Sequence, residues 1–314
     1  MNDELSFAKV TAPYSTGTVR RRRLFARLDA APPAIFISAP PGAGKTTLAN
    51  SYLADAGRPP LWYDIDPSDA DPASFFFHLR AAVPSPPEDL PLLTAERMGG
   101  PESFAREFFR RLFALNAPFD LVLDNCHELP EDAELFRLLR YAFPELHASR
   151  RLFLLSRNAI PGPLARYQLD GSLERLDGDD LRLDNDEVIA ITRLVSSPSK
   201  KPEETDRLAE RSGGWAAGLM LLLSREASAM EGADRRNELL FDYFTSEVFQ
   251  GLAGAEQRFL LRAAYLPWFT PETAKRLTNE PASEAIIHTL ARRNAFLEKR
   301  TAANQTVYRF HPLF

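Results

Sequence analysis

At 314 residues and 45% hydrophobic content, the chain is longer than one ordinary domain and apolar enough to build two or three packed cores. Its 38 Lys and Arg against 43 Asp and Glu give a net charge of −5, which excludes a global pull toward nucleic acid or an anionic membrane and confines any DNA contact to a local patch. A single cysteine, Cys126, excludes an intramolecular disulfide, the opening Met1-Asn2-Asp3-Glu4 lacks the basic and apolar regions of a secretory signal, and the longest apolar run, Gly218 to Leu223, is too short to span a bilayer; a cytoplasmic protein with no membrane contact is expected.

In chain order, the apolar stretch Ala34 to Ala39 predicts a strand that runs into Ala39-Pro40-Pro41-Gly42-Ala43-Gly44-Lys45-Thr46-Thr47 and then a helix over 45 to 55. That spacing is a P-loop, with Ala39 standing where the strict pattern has its first Gly. Glycines let the backbone N–H groups of residues 42 to 47, after Pro41, converge on phosphate oxygens, with the positive end of the following helix behind them. Lys45 would reach the β- and γ-phosphates and Thr46 would ligate Mg²⁺. Further strands are expected at Pro60 to Ile65, Phe119 to Asp124 and Arg151 to Ser156, with helices near 72 to 82, 102 to 115 and 132 to 142. Alternating strands and helices imply an α/β P-loop domain on a parallel sheet, with ligands gathering at the strands' carboxyl ends. The Pro-rich stretch from Pro84 to Pro101 reads as a surface loop without chemistry.

Beyond about residue 178 helices are expected at 185 to 194, 203 to 211 and, after the stop Ser212-Gly213-Gly214, at 215 to 225, which makes a small helical domain of residues 179 to 234. Residues 235 to 314 offer helices near 238 to 251, 255 to 264, 271 to 278 and 283 to 293, then two short strands, Phe296 to Arg300 and Thr306 to Phe310, a pattern that suggests a winged helix. The close at His311-Pro312-Leu313-Phe314, without a polar tail, suggests a piece of something longer.

The strand Phe119 to Asp124 ends on a carboxylate where a Walker B Asp would sit near Mg²⁺, so Asp124 is the second metal-side residue. The next residue, Asn125, cannot take a proton from an attacking water, which leaves hydrolysis doubtful unless Glu128 or His127 substitutes; both also read as plain turn residues. Arg157 follows the strand Arg151 to Ser156 at the same sheet edge, either as a sensor of the γ-phosphate or as a solvated strand-end charge.

Six segments together resemble the STAND class of P-loop signalling ATPases, and within it the large LuxR-type, MalT-like bacterial transcription activators. They are Lys9 to Pro13 with Val19 to Leu24; Ala39 to Thr47; Trp62-Tyr63-Asp64-Ile65-Asp66 with Asp69 and Asp71-Pro72; Leu121 to His127; Leu155-Ser156-Arg157; and Ser212 to Leu219. The resemblance implies a P-loop domain of residues 1 to 178, the helical domain and the winged-helix domain closing over ADP, with ATP exchange opening the protein for self-association. It further implies that Val19 and Arg21 lie beside base and ribose, that Arg157 is the sensor arginine, and that His311 contacts the ADP β-phosphate. The family's Gly-x-Pro approach to adenine is Gly214-Trp215-Ala216 here, and its paired acids after the Walker B strand are Asp124-Asn125, so turnover is expected to be slow or absent. An effector would be sensed by a downstream domain outside these residues, and no DNA binding is expected of them: the helix near Ser283 to Asn294 carries Arg292 and Arg293 but also Glu284, with no broad basic face. Alternatives from other classes are a hydrolytic AAA-like ATPase or loader and a winged-helix DNA reader.

Overall fold

Short, wholly apolar strands need cover on both faces, and the computed structural model supplies it with crossover helices. The structure describes residues 8–13, 17–94, 100–147, 149–195, 202–227, 249, 252–266, 268–292, 297–302 and 305–310. Two units divide the chain: Met1–Ser38 with Lys45–Asp177, and Ala39–Gly44 with Gly178–Phe314.

The first unit is built on five parallel strands, β1 (Ala34–Ser38), β2 (Pro60–Asp64), β3 (Asp120–Asp124), β4 (Leu152–Ser156) and β5 (Leu173–Leu176), in the order β2-β3-β4-β1-β5. Residues of β1, β3 and β4 are buried throughout, as the runs Ile35-Phe36-Ile37, Leu121-Val122-Leu123 and Leu152 to Leu155 require. Helices α1 (Arg22–Ala30), α2 (Lys45–Asp55), α3 (Pro72–Ala82), α4 (Pro101–Phe113), α5 (Glu134–Leu139) and α6 (Ala165–Leu169) complete it. Four of these strands match the sequence expectation within a residue or so, and β5 does not appear in it. The sequence of β5, Leu-Glu-Arg-Leu, lies at a sheet edge; Glu174 is partly exposed there, paired with Arg27 at 2.7 Å, so the strand lacks the apolar run that marks the others.

Aromatic packing fills the space between the sheet and helices α3 and α4. Phe76 is met edge-on by Phe75, Phe104, Phe108 and Phe109 at centroid distances of 4.8 to 5.8 Å, the offset geometry that ring quadrupoles favour. At the amino ends of the strands the buried Asp120 accepts from Arg58 Nη2 at 2.6 Å and from the Arg151 amide at 2.7 Å, so its charge is answered and the bottom of the sheet is tied together.

In the second unit, α7 (Asn185–Val195), α8 (Pro202–Ser212) and α9 (Ala216–Ala227) bury Val188, Leu208, Leu219, Leu222 and Leu223 against one another. After them come α10 (Gly254–Ala263), α11 (Pro271–Thr278), α12 (Ser283–Arg292) and the antiparallel pair β6 (Leu297–Ala302) and β7 (Gln305–Phe310), joined by a bridge from Phe269 to Tyr308. Phe259, Leu260, Ile287, Leu290, Tyr308 and Phe310 share that core. Three helices followed by a hairpin are the winged helix that the sequence suggests. The expected helix over 238 to 251 lies outside the described residues, apart from residue 249.

Candidate nucleotide-binding site

Parallel register brings the chemistry of the first unit to one edge. Asp64 at the end of β2 pairs with Asp124 at the end of β3, and Arg157 follows β4 on the neighbouring strand. Helix α2 begins at Lys45, and the hydroxyl of its second residue, Thr46, donates to Asp124 Oδ2 at 2.8 Å. The other oxygen, Asp124 Oδ1, accepts from the Asn125 amide at 2.8 Å. One carboxylate and one hydroxyl at this separation suit Mg²⁺, which takes one or two protein oxygens and fills its octahedron with phosphate and water. Among the described residues no group of three or more His, Cys, Asp or Glu could hold a metal ion.

Electrostatics around Lys45 are unusual for a lysine. Burial, and then the positive charge of Arg157, push its pKa down to about 8 against the opposing pull of Asp124. Burial also raises the pKa of Asp124, with the charge of Asp64 adding to the effect, while the bonds from Thr46 and the Asn125 amide oppose it. The side chain of His127 is only 10% exposed, and neither ring nitrogen has a hydrogen-bond partner. Its Nε2 lies 3.5 Å from Glu128 Oε1, too far for a hydrogen bond from a neutral ring. Burial first, then Arg157 and Lys45, hold its pKa down near 3. A base whose folded pKa lies below its unfolded value of 6.5 makes the unfolded chain the better proton binder between those values, so stability falls as pH drops from 6.5 toward 3. Replacing His127 with Gln is expected to flatten the dependence of the urea midpoint on pH between 7 and 4; an unchanged slope would remove His127 from that account.

In the second unit, the loop Ala39–Gly44 turns at Gly42 and Gly44, whose φ values of 69° and 88° lie in the left-handed region that glycine reaches without strain. Its carbonyls are held from behind. Trp215 Nε1 donates to Pro41 O at 2.9 Å, and the Ala217 amide, in the first turn of α9, donates to Gly42 O at 2.9 Å. Within the loop the Ala43 amide donates to Pro40 O at 3.3 Å. Gly214 makes the approach possible at φ 74°, its carbonyl accepting from the Leu183 amide at 2.7 Å.

Among the residues singled out from the sequence, Lys45, Thr46, Asp124 and Arg157 fall within the first unit as one electrostatically coupled group. Thr47 is exposed on α2, Val19 is half-buried ahead of α1, and Arg21 caps α1 with its side chain buried while Arg20, Arg22 and Arg23 are exposed. Pro41, Gly42, Ala43 and Gly44 sit with Gly214 and Trp215 in the second unit. The Trp215 indole N–H is engaged by the Pro41 carbonyl of the loop. Glu128 ends a 3-10 turn with its side chain 44% exposed, and His311 lies outside the described residues. Asp64 is given no site role from the sequence, where it appears only within the segment Trp62 to Asp66 that carries the resemblance, and its place beside Asp124 follows from strand register.

Comparison with known proteins agrees along the chain. Residues 245–314 match the family described as the MalT winged helix domain. The HTH-type transcriptional regulator MalT of Yersinia enterocolitica is 27% identical over 319 residues, covering 95% of this chain and 34% of that protein. MalT of Vibrio cholerae is 26% identical, covering 89% of this chain and 32% of its own length. The chain thus spans about a third of the length of the curated relatives it matches. Among solved structures, a Walker-type ATPase of Pyrococcus abyssi superposes with a TM-score of 0.65 at 14% identity, covering 94% of each chain. A STAND protein with a tetratricopeptide repeat sensor from Pyrococcus horikoshii superposes with a TM-score of 0.53 at 18% identity, over 96% of this chain and 42% of that one. The chain is thus similar to the MalT regulators over most of its length, carries a match to the MalT winged helix domain at residues 245–314, and shares the fold of P-loop ATPases.

Proposed function

We propose that these residues form the adenine-nucleotide switch of a bacterial, LuxR-type transcription regulator, resting with ADP bound and competent for self-association with ATP bound. The observation that carries the reading is the 2.8 Å bond from Thr46 to Asp124 beside a buried Lys45 whose pKa is depressed to about 8. A buried ammonium next to a guanidinium is costly, and a polyphosphate with Mg²⁺ on Thr46 and Asp124 relieves that cost. When bound, Mg²⁺ would neutralise phosphate charge; Lys45 would hold the β- and γ-oxygens, Arg157 would register the γ-phosphate, and the amides of residues 42 and 44 to 47 would cradle the rest. His127, neutral and with neither ring nitrogen hydrogen-bonded, would donate or accept a hydrogen bond at the terminal phosphate or the water beside it.

A switch needs different affinities for its two states, and here a phosphate that only ATP carries supplies the difference. The MalT relatives are transcriptional regulators by name and about three times as long, so effector sensing and DNA binding are assigned to the part of such a protein that lies outside these residues. The acidic net charge of −5 supports this division. Denaturing the purified protein and identifying the released nucleotide by chromatography tests the reading. Stoichiometric ADP is expected; folded protein that neither carries nucleotide nor binds ADP or ATP with Mg²⁺ by calorimetry would overturn it.

A further inference from the structure

Hydrolysis of a γ-phosphate needs an acceptor for the proton of the attacking water, and the position after Asp124, where a second carboxylate would serve, is Asn125. A carboxamide is no base at neutral pH. The structure nevertheless puts a carboxylate against that position. Asn125 sits in the left-handed region at φ 57° and ψ 33°, a conformation Asn tolerates better than most residues, and its Nδ2 donates to Asp64 Oδ1 at 2.7 Å. Asp64 ends β2 in direct register with Asp124, so the two carboxylates project from adjacent strands, roughly 5 Å apart along the hydrogen-bonding direction.

We infer that Asp64 is the general base for nucleotide hydrolysis, supplying from the neighbouring strand the carboxylate that Asn125 lacks. The inference rests on the reading of residues 39 to 47 as a triphosphate site. Other carboxylates nearby are already engaged or unoriented. Asp124 gives one oxygen to Thr46 and the other to the Asn125 amide. Asp66 and Asp69 are held by Lys9 at 2.7 and 2.8 Å, and Asp69 also accepts from the Tyr63 hydroxyl. Glu128 is 44% exposed and stands 3.5 Å from the neutral His127 ring, with no side-chain bond to Asn125 or Asp124 to orient it. Asp64, by contrast, is exposed to water at the carboxyl edge of the sheet, with one oxygen fixed by Asn125 and the other open to a water molecule. Its charge reaches the metal-side residue as well, contributing to the raised pKa of Asp124.

In the step proposed, the oxygen of water forms a bond to the γ-phosphorus and the bond from that phosphorus to the β–γ bridging oxygen breaks, its electron pair leaving with ADP. One water proton passes to the Asp64 carboxylate and then to solvent, and inorganic phosphate departs. Asn125 is a positioning residue here: its Nδ2 fixes the carboxylate so that the remaining oxygen faces the water.

Single-turnover phosphate release from Mg-ATP, with Mg-ADP and Mg-ATP affinities measured on the same preparations, tests the assignment on the 314-residue chain, D64N and the swap D64N/N125D. D64N is expected to lower the rate by about 100-fold or more while both affinities change by less than about threefold, the range a general base commands. The swap, which moves the carboxylate one strand over, is expected to recover to within about tenfold of the parent. The assignment is overturned by D64N that hydrolyses at the parental rate, by affinities that fall in step with the rate, by a swap as slow as D64N, or by a parent chain that binds Mg-ATP and releases no phosphate. A parent chain that binds neither nucleotide sinks the nucleotide reading itself, a result distinct from all of these.

Discussion

Lys45→Met is expected to cripple nucleotide binding and, at neutral pH, to make the nucleotide-free chain more stable than the parent. Both effects come from one ammonium group. In the folded chain burial and Arg157 lower its pKa from 10.5 to about 8, so the protonated form is disfavoured relative to the unfolded chain. Below pH 8 both states are protonated and the folded state carries the whole penalty. Between 8 and 10.5 the folded state releases its proton first and the penalty fades; above 10.5 it is gone. At pH 7 the shift corresponds to something on the order of 3 kcal/mol, which an unbranched apolar side chain of similar length removes. The parent should therefore gain stability between pH 8 and 10 while Lys45→Met stays flat by urea denaturation. Nucleotide affinity should fall about 100-fold or more, since charge-assisted bonds to the phosphates are lost. A variant that is less stable at pH 7, or that still binds Mg-ADP, would show that Lys45 is held for packing and not for phosphate. The same argument separates this lysine from a structural one: a residue kept for stability is not one whose removal should raise it.

Legibility from sequence followed the strength of local signals. Loop residues Gly42, Gly44, Lys45 and Thr46 are read from contiguous spacing, and Asp124 and Arg157 from their position at the ends of apolar runs. Strand β5 is not, because Glu174 and Arg175 interrupt the apolar pattern, and the strand is specified by its pairing with β1 from Ala34↔Leu173 onward. Asp64 fails for a related reason. Its significance is a register relation across 60 residues, Asp64↔Asp124, and a side-chain bond to Asn125, neither of which has a periodicity to detect. For Trp215 the type of residue gives the burial but not the partner: an indole must find an acceptor when buried, and the Pro41 carbonyl 174 positions away is one that only the fold provides. His127 is intermediate. Its residue type permits a role, and the decisive facts, two ring nitrogens without partners and a pKa near 3, are properties of its surroundings.

Gly214→Ala is expected to be the most damaging single-methyl change in the C-terminal unit, costing about 3 kcal/mol or more and weakening nucleotide binding at least about tenfold. Gly214 has φ 74°, and a Cβ built there would stand 2.9 Å from Leu183 O, and 3.2 Å from both Leu183 N and Arg182 Cβ. These are backbone and near-backbone atoms that cannot swing aside as a long side chain would. Nor can the segment simply back away, because the Gly214 carbonyl is bonded to the Leu183 amide at 2.7 Å. The left-handed conformation alone costs an alanine about 1–2 kcal/mol, and overpacking adds a comparable amount. What moves in response is the next residue: Trp215 donates to Pro41 O, and Ala217 to Gly42 O, so a shift of the 214 to 217 segment pulls on the loop's carbonyls and turns its amides out of alignment with a phosphate. Gly171→Ala is the control, since Gly171 shares the positive φ of 78° but has nothing within 4 Å of a new Cβ. It should lose only the conformational part and bind nucleotide normally. Melting curves and Mg-ADP calorimetry on the two variants decide the matter. Equal losses of stability would mean that backbone conformation alone accounts for Gly214, whereas a destabilised Gly214→Ala with parental affinity would show that the loop keeps its shape without the Trp215 and Ala217 bonds.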